Sequence, residues 1–167
     1  MKENSPVAVL TSTRQICTFY LNGHLFGVEV SKVQEVIRYQ KVTKVPLTSS
    51  VVCGLINLRG QIVTVLNLSQ CLGMDKAAAG QEQMNVVVWA GDGFVSLLVD
   101  DIGDVLEVSD ESFEDPPESM QGSAREMVKG VYKLPNQLLL ILDTEKAIDS
   151  ANALERIKTT ENKKGVA

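Results

Sequence analysis

Asp100, Asp101 and Asp104 form the densest group of side chains in this sequence able to hold a cation, because carboxylates suit hard ions such as calcium and magnesium. Their spacing matches no calcium-binding loop, so a small β-barrel enzyme using a metal at these aspartates stands only as the enzymatic alternative. His24 is the single histidine and follows Asn22-Gly23, a tight-turn pair, which makes it a solvated loop residue and leaves no histidine-based triad to assemble. Neither GxxxxGK[ST] nor GxGxxG occurs, so no glycine-rich loop cradles a phosphate. Cys17, Cys53 and Cys71 are odd in number, lack a CxxC spacing and sit in apolar runs. They are expected as buried free thiols in a reducing compartment. The expectation is a chain without enzymatic activity, cofactor or metal.

The elements that would position such residues are mostly strands, because short apolar runs alternate with turn residues. Ile16 to Leu21 meets Phe26 to Val30 across Asn22-Gly23, both of which tolerate positive φ. Val51 to Leu58 meets Ile62 to Leu68 through Arg59-Gly60, with Gly60 at the left-handed turn position. Asn85 to Ala90 and Phe94 to Val99 flank Gly91-Asp92-Gly93, and Val128 to Leu134 and Leu138 to Leu142 flank Pro135-Asn136. Four hairpins result. Two segments read as helices. Ser31 to Arg38 opens with Ser31 and carries Gln34 three residues later, a capping box, with Val33, Val36 and Ile37 on one face. Thr144 to Lys158 places Ala147, Ile148, Ala151, Leu154 and Ile157 at helical spacing. Residues 1 to 13 and 151 to 167 flank a single domain over 14 to 150, the first expected as a flexible tail, the last as a helix end and a polar, Lys-rich tail.

The sequence repeats. A shift of 69 lays Val28, Val30, Ser31, Val33, Glu35, Val36 and Ile37 on Leu97, Val99, Asp100, Ile102, Asp104, Val105 and Leu106, and thereby places Asp100 at the same helix-cap position as Ser31. A shift of 76 lays Gly54, Leu55, Leu58, Gln61, Ile62 and Asn67 on Gly130, Val131, Leu134, Gln137, Leu138 and Asp143. A duplication giving two similar β lobes of about five strands follows, and closure into small barrels protects their edges. Two such lobes packed together leave a groove.

The net charge of -5 and pI near 4.9 argue against nucleic acid as the partner. No basic residue lies between Lys76 and Arg125, whereas Lys32, Arg38, Lys41, Lys44 and Arg59 make the first part basic. Both faces are either simply solvated or orient different partners. No cationic start precedes a long apolar run, and no stretch approaches the ~18 apolar residues of a membrane helix, so no direct membrane insertion and a cytoplasmic location are expected.

Four segments in order, FYLNGHLFGVEVSKVQEVIRYQKVTKVP, VCGLINLRGQIVTVLNL, VSLLVDDIGDVLEV and KGVYKLPNQLLLILD, resemble the CheW family, and the likeness covers the chain from Gln15 to about Ile148. Gly54-Leu55-Ile56-Asn57-Leu58-Arg59-Gly60 is the most specific piece. The resemblance implies a mainly β fold of two SH3-like, five-stranded barrels side by side, here with the short helix near 31–38 and the C-terminal helix. It implies a chemotaxis adaptor, a monomer outside the signalling array, that couples the cytoplasmic tips of chemoreceptors to the regulatory domain of the histidine kinase CheA. A specialised paralogue in a non-flagellar chemosensory pathway, or one competing with the main adaptor, is the alternative. A CheV-like protein would need an additional receiver domain.

Carried over residue by residue, Val33, Glu35 and Arg59 match family positions implicated in coupling, and Ile102 matches a further apolar groove position. Val33 is open to a second reading as core packing on the capped helix. Glu35 either faces solvent beside Lys32 or Arg38, or pairs with Arg59 as a polar anchor at the groove. Arg59 suits a binding hot spot, since its planar fork satisfies carboxylates while its stem packs. Ser96, where many relatives have Gly, is expected to narrow the groove, and Asn67, where many have Asp, to accept turn hydrogen bonds.

Overall fold

In the computed structural model, which describes residues 12–46, 49–75 and 82–152, all four hairpins are present. Strand β1 (Thr13–Leu21) turns into β2 (His24–Glu29) over Asn22 and Gly23, whose φ values of 48° and 80° match the right-handed twist of the flanking strands. The turn between β4 (Val52–Leu58) and β5 (Gln61–Asn67) is of the same kind, with Arg59 as well as Gly60 at positive φ, 52° and 85°. The Asn57 Oδ1 holds it by accepting the Gly60 N–H at 2.8 Å. Strands β6 (Met84–Trp89) and β7 (Phe94–Val99) form the third hairpin, and β10 (Val128–Lys133) and β11 (Leu138–Leu142) the fourth.

Residues 31–38 are not a helix. Val30–Lys32 make one 3-10 turn without a side-chain cap, and Val33–Arg38 form β3, antiparallel to β6. The helical spacing of Val33, Val36 and Ile37 has a local cause: a bulge between Val33 and Glu35 adds one residue to the alternation. Val33 and Val36 therefore pack on one face and Ile37 on the other. Asp100, aligned with Ser31, caps no helix either. It sits just before β8 (Asp101–Ser109), where its Oδ2 accepts the Asn22 N–H at 2.8 Å and its own N–H donates to Tyr20 O at 3.0 Å. It thereby anchors the first hairpin turn.

Two short helices fit between strands. Helix α1 (Leu68–Cys71) is capped by Asn67, whose Oδ1 accepts the Gln70 N–H at 3.2 Å, and α2 (Gly122–Met127) precedes β10. The C-terminal helix, α3, spans 144–152 and is capped by Asp143, whose Oδ1 accepts the Lys146 N–H at 3.1 Å. Its expected extension to Lys158 lies outside the described residues, as does most of both tails.

The strands make two sheets, β8-β1-β2-β11-β10-β9 and β3-β6-β7-β5-β4, where β9 is Phe113–Glu114. Each closes on itself. In the first, the chain leaving β8 reaches β10 through β9, pairing Glu114 with Val131. In the second, the chain leaving β3 reaches β4, where Thr43 and Leu55 exchange two backbone hydrogen bonds of 2.8 Å. A glycine permits each closure. A Cβ on Gly54 would stand 2.2 Å from Thr43 O, and one on Gly130 would stand 2.2 Å from Phe113 Cζ.

The shifts of 69 and 76 relate these sheets pair by pair. Thr64↔Val95 in the parallel β5–β7 pair becomes Leu140↔Phe26 in the parallel β11–β2 pair, and Val36↔Val86 becomes Val105↔Cys17. Bulges recur at matching places in both. Yet neither repeat is a lobe. Lobe 1 joins β1 and β2 to the strands β8 to β11 of the second repeat, and lobe 2 joins β6 and β7 to β3, β4 and β5 of the first. Ile16, Leu25, Tyr132 and Leu139 fill lobe 1, and Ile56, Val63, Val65 and Leu98 fill lobe 2. The larger core lies between the lobes, around Phe19, Val28, Leu66, Val88, Leu97 and Leu142.

Candidate docking surface

Glu35 and Arg59 meet. Glu35 follows the β3 bulge and Arg59 occupies the β4–β5 turn, and Arg59 Nη2 donates to Glu35 Oε2 at 3.0 Å. Strands β3 and β4 are the two outer strands of the lobe 2 sheet, so this ion pair spans its seam. The carboxylate is mostly covered, with its side chain 18% exposed, whereas the Arg59 side chain is 77% exposed. One guanidinium nitrogen is engaged with Glu35 and the rest of the planar fork faces outward, a geometry suited to bidentate recognition of an incoming carboxylate or carbonyl.

Val33 and Ile102 are repeat mates. Val33 lies opposite Val88 and Ile102 opposite Phe19, and each is half-buried against the interlobe core. Val33 shares β3 with Glu35, whereas Ile102 lies on β8 in lobe 1 and is related to the others through that common core. Of the two readings of Val33, core packing is a fact of the structure, on a strand rather than a helix.

Trp89, Phe94 and Ile62 also belong to this end of lobe 2. Parallel pairing of β5 with β7, Thr64 against Val95, puts the β4–β5 turn beside the β6–β7 turn, and antiparallel pairing of β3 with β6 brings Val33 to the same end. Trp89 stacks edge-on against Phe94 with ring centroids 5.0 Å apart and stays 48% exposed, and Ile62 is 63% exposed. An amphipathic aromatic and an exposed arginine at one end of a lobe are residue types enriched in binding hot spots. The sequence holds one signal for Trp89, the chain's single tryptophan at the end of a strand run, but a strand end alone does not tell which other turns lie beside it.

The aspartates do not converge on a site. Asp101 Oδ1 accepts the Ile102 N–H at 2.8 Å, and the Asp104 carbonyl accepts the Thr18 hydroxyl at 2.5 Å. Among the described residues, no three His, Cys, Asp or Glu side chains are placed to hold a metal. His24 is exposed just after the first hairpin turn. Cys17 and Cys71 are buried and Cys53 is half-buried, all three as free thiols. Burial pushes their thiols up, that of Cys71 to about 12 with a smaller contribution from nearby Cys53.

Ser96 does not narrow a groove. It is wholly buried inside lobe 2, where its hydroxyl donates to Asn85 Oδ1 at 2.8 Å. The repeat mates are Gly27 and Ile16, and a Cβ on Gly27 would stand 2.4 Å from Ile16 Cγ2. The smaller Asn85 makes room for the serine that Ile16 denies in lobe 1. Asn67 accepts its hydrogen bond as the cap of α1.

Among the described residues no helix is long and apolar enough to cross a membrane. The model of the CheW-like domain family matches residues 15–152. A "Chemotaxis protein CheW" of Treponema pallidum is 30% identical over 149 residues, covering 87% of this chain and 88% of that one. The protein of the same name from Bacillus subtilis is 27% identical over 146 residues, covering 87% and 94%. The crystal structure of the scaffolding protein TtCheW from Thermoanaerobacter tengcongensis superimposes with a TM-score of 0.71 at 28% identity, over 78% of this chain and 88% of that one. These matches agree with a mainly β chain of two lobes.

Proposed function

Since the chain belongs to the CheW-like domain family, we propose that it is a cytoplasmic chemotaxis adaptor without chemistry of its own, coupling chemoreceptor tips to the regulatory domain of the histidine kinase CheA. The observation that carries this reading is the Glu35–Arg59 pair across the lobe 2 seam, with Val33, Trp89 and Ile62 at the same end. An arginine held at one nitrogen and exposed at the others, set among apolar side chains, gives a partner both an anchor and area to bury. The two lobes present related but non-identical surfaces, which is what one small protein needs to hold two different neighbours at once. Recruitment to receptor arrays then follows from these contacts rather than from membrane insertion, and outside an array the protein is a monomer.

Ser96 is buried and Asn67 is a helix cap, so neither departure from the family pattern reaches this surface. The specialised-paralogue alternative therefore draws no support from them.

Titration calorimetry tests the proposal with two titrants from the same cell, a receptor cytoplasmic fragment and the isolated regulatory domain of CheA. Each is expected to bind with defined stoichiometry, and the kinase domain is expected still to bind when the receptor fragment is already present. Absence of binding by both titrants, with the protein folded, would refute the adaptor reading.

A further inference from the structure

The mouths of the two lobes are repeat mates that differ in charge, with four charged side chains in the lining of one and a single lysine in that of the other, and the duplication makes each a control for the other. In lobe 2 the mouth is a cavity of about 450 Å³ whose lining includes Gln83, Leu98 and Cys53. In lobe 1 the matching positions hold Arg14, Glu29 and Lys129, and Asp110 and Tyr132 join them around a cavity of about 180 Å³ floored by Ile16 and Ile141. Closing a barrel of this kind does not demand a cluster of paired charges at its mouth, since the lining of the lobe 2 mouth holds one charged side chain, Lys44, among the described residues.

The lobe 1 groups are also arranged. Arg14 donates from Nη1 to Glu29 at 2.5 Å and from Nε to Asp110 at 2.7 Å, which fixes both carboxylates on one side of the opening. Lys129 makes no ion pair among the described residues. Tyr132 is 4% exposed, its ring leans on Phe113 with centroids 5.3 Å apart, and its hydroxyl has no hydrogen-bond partner among the described residues. Burial and the neighbouring carboxylates push that phenol up, so it is protonated and offers a donor. The hydroxyl is open to solvent at the cavity wall, and because no side chain or backbone group of the described residues occupies it, a ligand atom can take the place of water there.

We propose that the mouth of lobe 1 is a binding site for a small zwitterion of the α-amino-acid type with an apolar side chain. The charges lining the site sum to zero, two cations against two carboxylates, which matches a ligand that is dipolar but neutral. Lys129 and the Tyr132 hydroxyl receive the ligand carboxylate, the outer lone pairs of Glu29 and Asp110 receive its ammonium, and Ile16 and Ile141 receive the side chain. The volume suits an amino acid and excludes a nucleotide.

The test is an amide-resolved NMR titration of the full chain with L-leucine, L-valine and L-methionine as probes. Each probe is run beside its single-charge analogues, which for leucine are 4-methylpentanoate and isopentylamine. At least one zwitterion is expected to shift amides of residues 14–16 and 128–132 while leaving 83, 98 and 53 unmoved. Loss of either charge should weaken binding by about tenfold, as should Lys129→Ala, with Tyr132→Phe losing somewhat less. The proposal is overturned if none of the three amino acids moves lobe 1 at millimolar concentration. It is equally overturned if analogues bind as well as their parents, or if both mouths respond alike. Tyr132→Phe keeps the ring, so unchanged affinity in a folded variant would also count against it.

Discussion

Replacing Arg59 by alanine separates stability from recognition, because the structure assigns very different energies to the two. The ion pair with Glu35 has one partner 77% exposed, and pairs of that exposure contribute about 0–1 kcal/mol, less in salt. Alanine also keeps the Cβ, so the left-handed turn geometry carries much the same strain before and after. The melting temperature should therefore fall by no more than about 4 °C. If the outward guanidinium seats in a partner, its loss costs at least about 2 kcal/mol of binding, roughly thirtyfold in Kd. Calorimetry against the receptor fragment and the kinase domain, alongside thermal unfolding, reads both quantities. The exchanged variant, Glu35→Arg with Arg59→Glu, adds a sharper cut. It restores an ion pair across the seam but presents the wrong charge outward, so binding should stay weak although the fold is intact. Full recovery of binding in that exchange would show that the pair merely holds β3 to the turn. A large loss of stability in Arg59→Ala, with unchanged affinity per folded molecule, would refute the docking role outright.

Ser96→Ala leaves a buried Asn85 oxygen without its donor and should cost about 1–3 kcal/mol in urea unfolding, whereas Asn85→Ile with Ser96→Gly, which copies the lobe 1 pair, should cost clearly less than Ser96→Ala. A double variant less stable than the single one would show that the lobes are not interchangeable in detail. The raised thiol of Cys71 is neutral up to high pH, so iodoacetamide should leave it unmodified at pH 9 in the native protein and label it in urea. Because the folded value lies above that of an unfolded thiol, the stability it supports is fully present below pH 9 and declines as pH rises from there toward 12.

Hairpins were legible because their signals are local: Asn22-Gly23 and Gly60 need only their own backbone, and alternation needs only neighbours. The repeat was legible for the same reason, since matched positions keep their character whatever they touch. Strand β3 was not, because its bulge makes the apolar residues fall at helical intervals, and only the edge of β6 decides which period wins. Asp100 and Ser96 failed in another way. Each looked like a local feature, a cap or a groove residue, but its partner is Asn22, 78 residues away in the sequence, for the first and Asn85 across a hairpin for the second. Of the docking surface, Glu35, Arg59 and Val33 were named through family likeness, and the Glu35–Arg59 pairing was among the alternatives foreseen. Trp89 and Ile62 join them only through parallel strand pairing, which no pattern along the chain encodes.

The exchange of strands between repeats bears on how such a protein can transmit a signal. Independent lobes joined by a linker would be expected to hinge, unless their interface is large and apolar. Here β3 leaves the first hairpin of lobe 1 to open lobe 2, and β8 returns from lobe 2 to close lobe 1, so two chain crossings tie the units together. Among the described residues, 21 buried side chains make up the interlobe core, against 6 in lobe 1 and 4 in lobe 2. Moving the lobes apart would break the largest apolar core in the molecule, which makes hinge motion between them costly. Both surfaces are thus faces of one rigid body. Under the adaptor reading, a displacement imposed by one partner is handed to the other as a change of position, without a switch inside the adaptor itself.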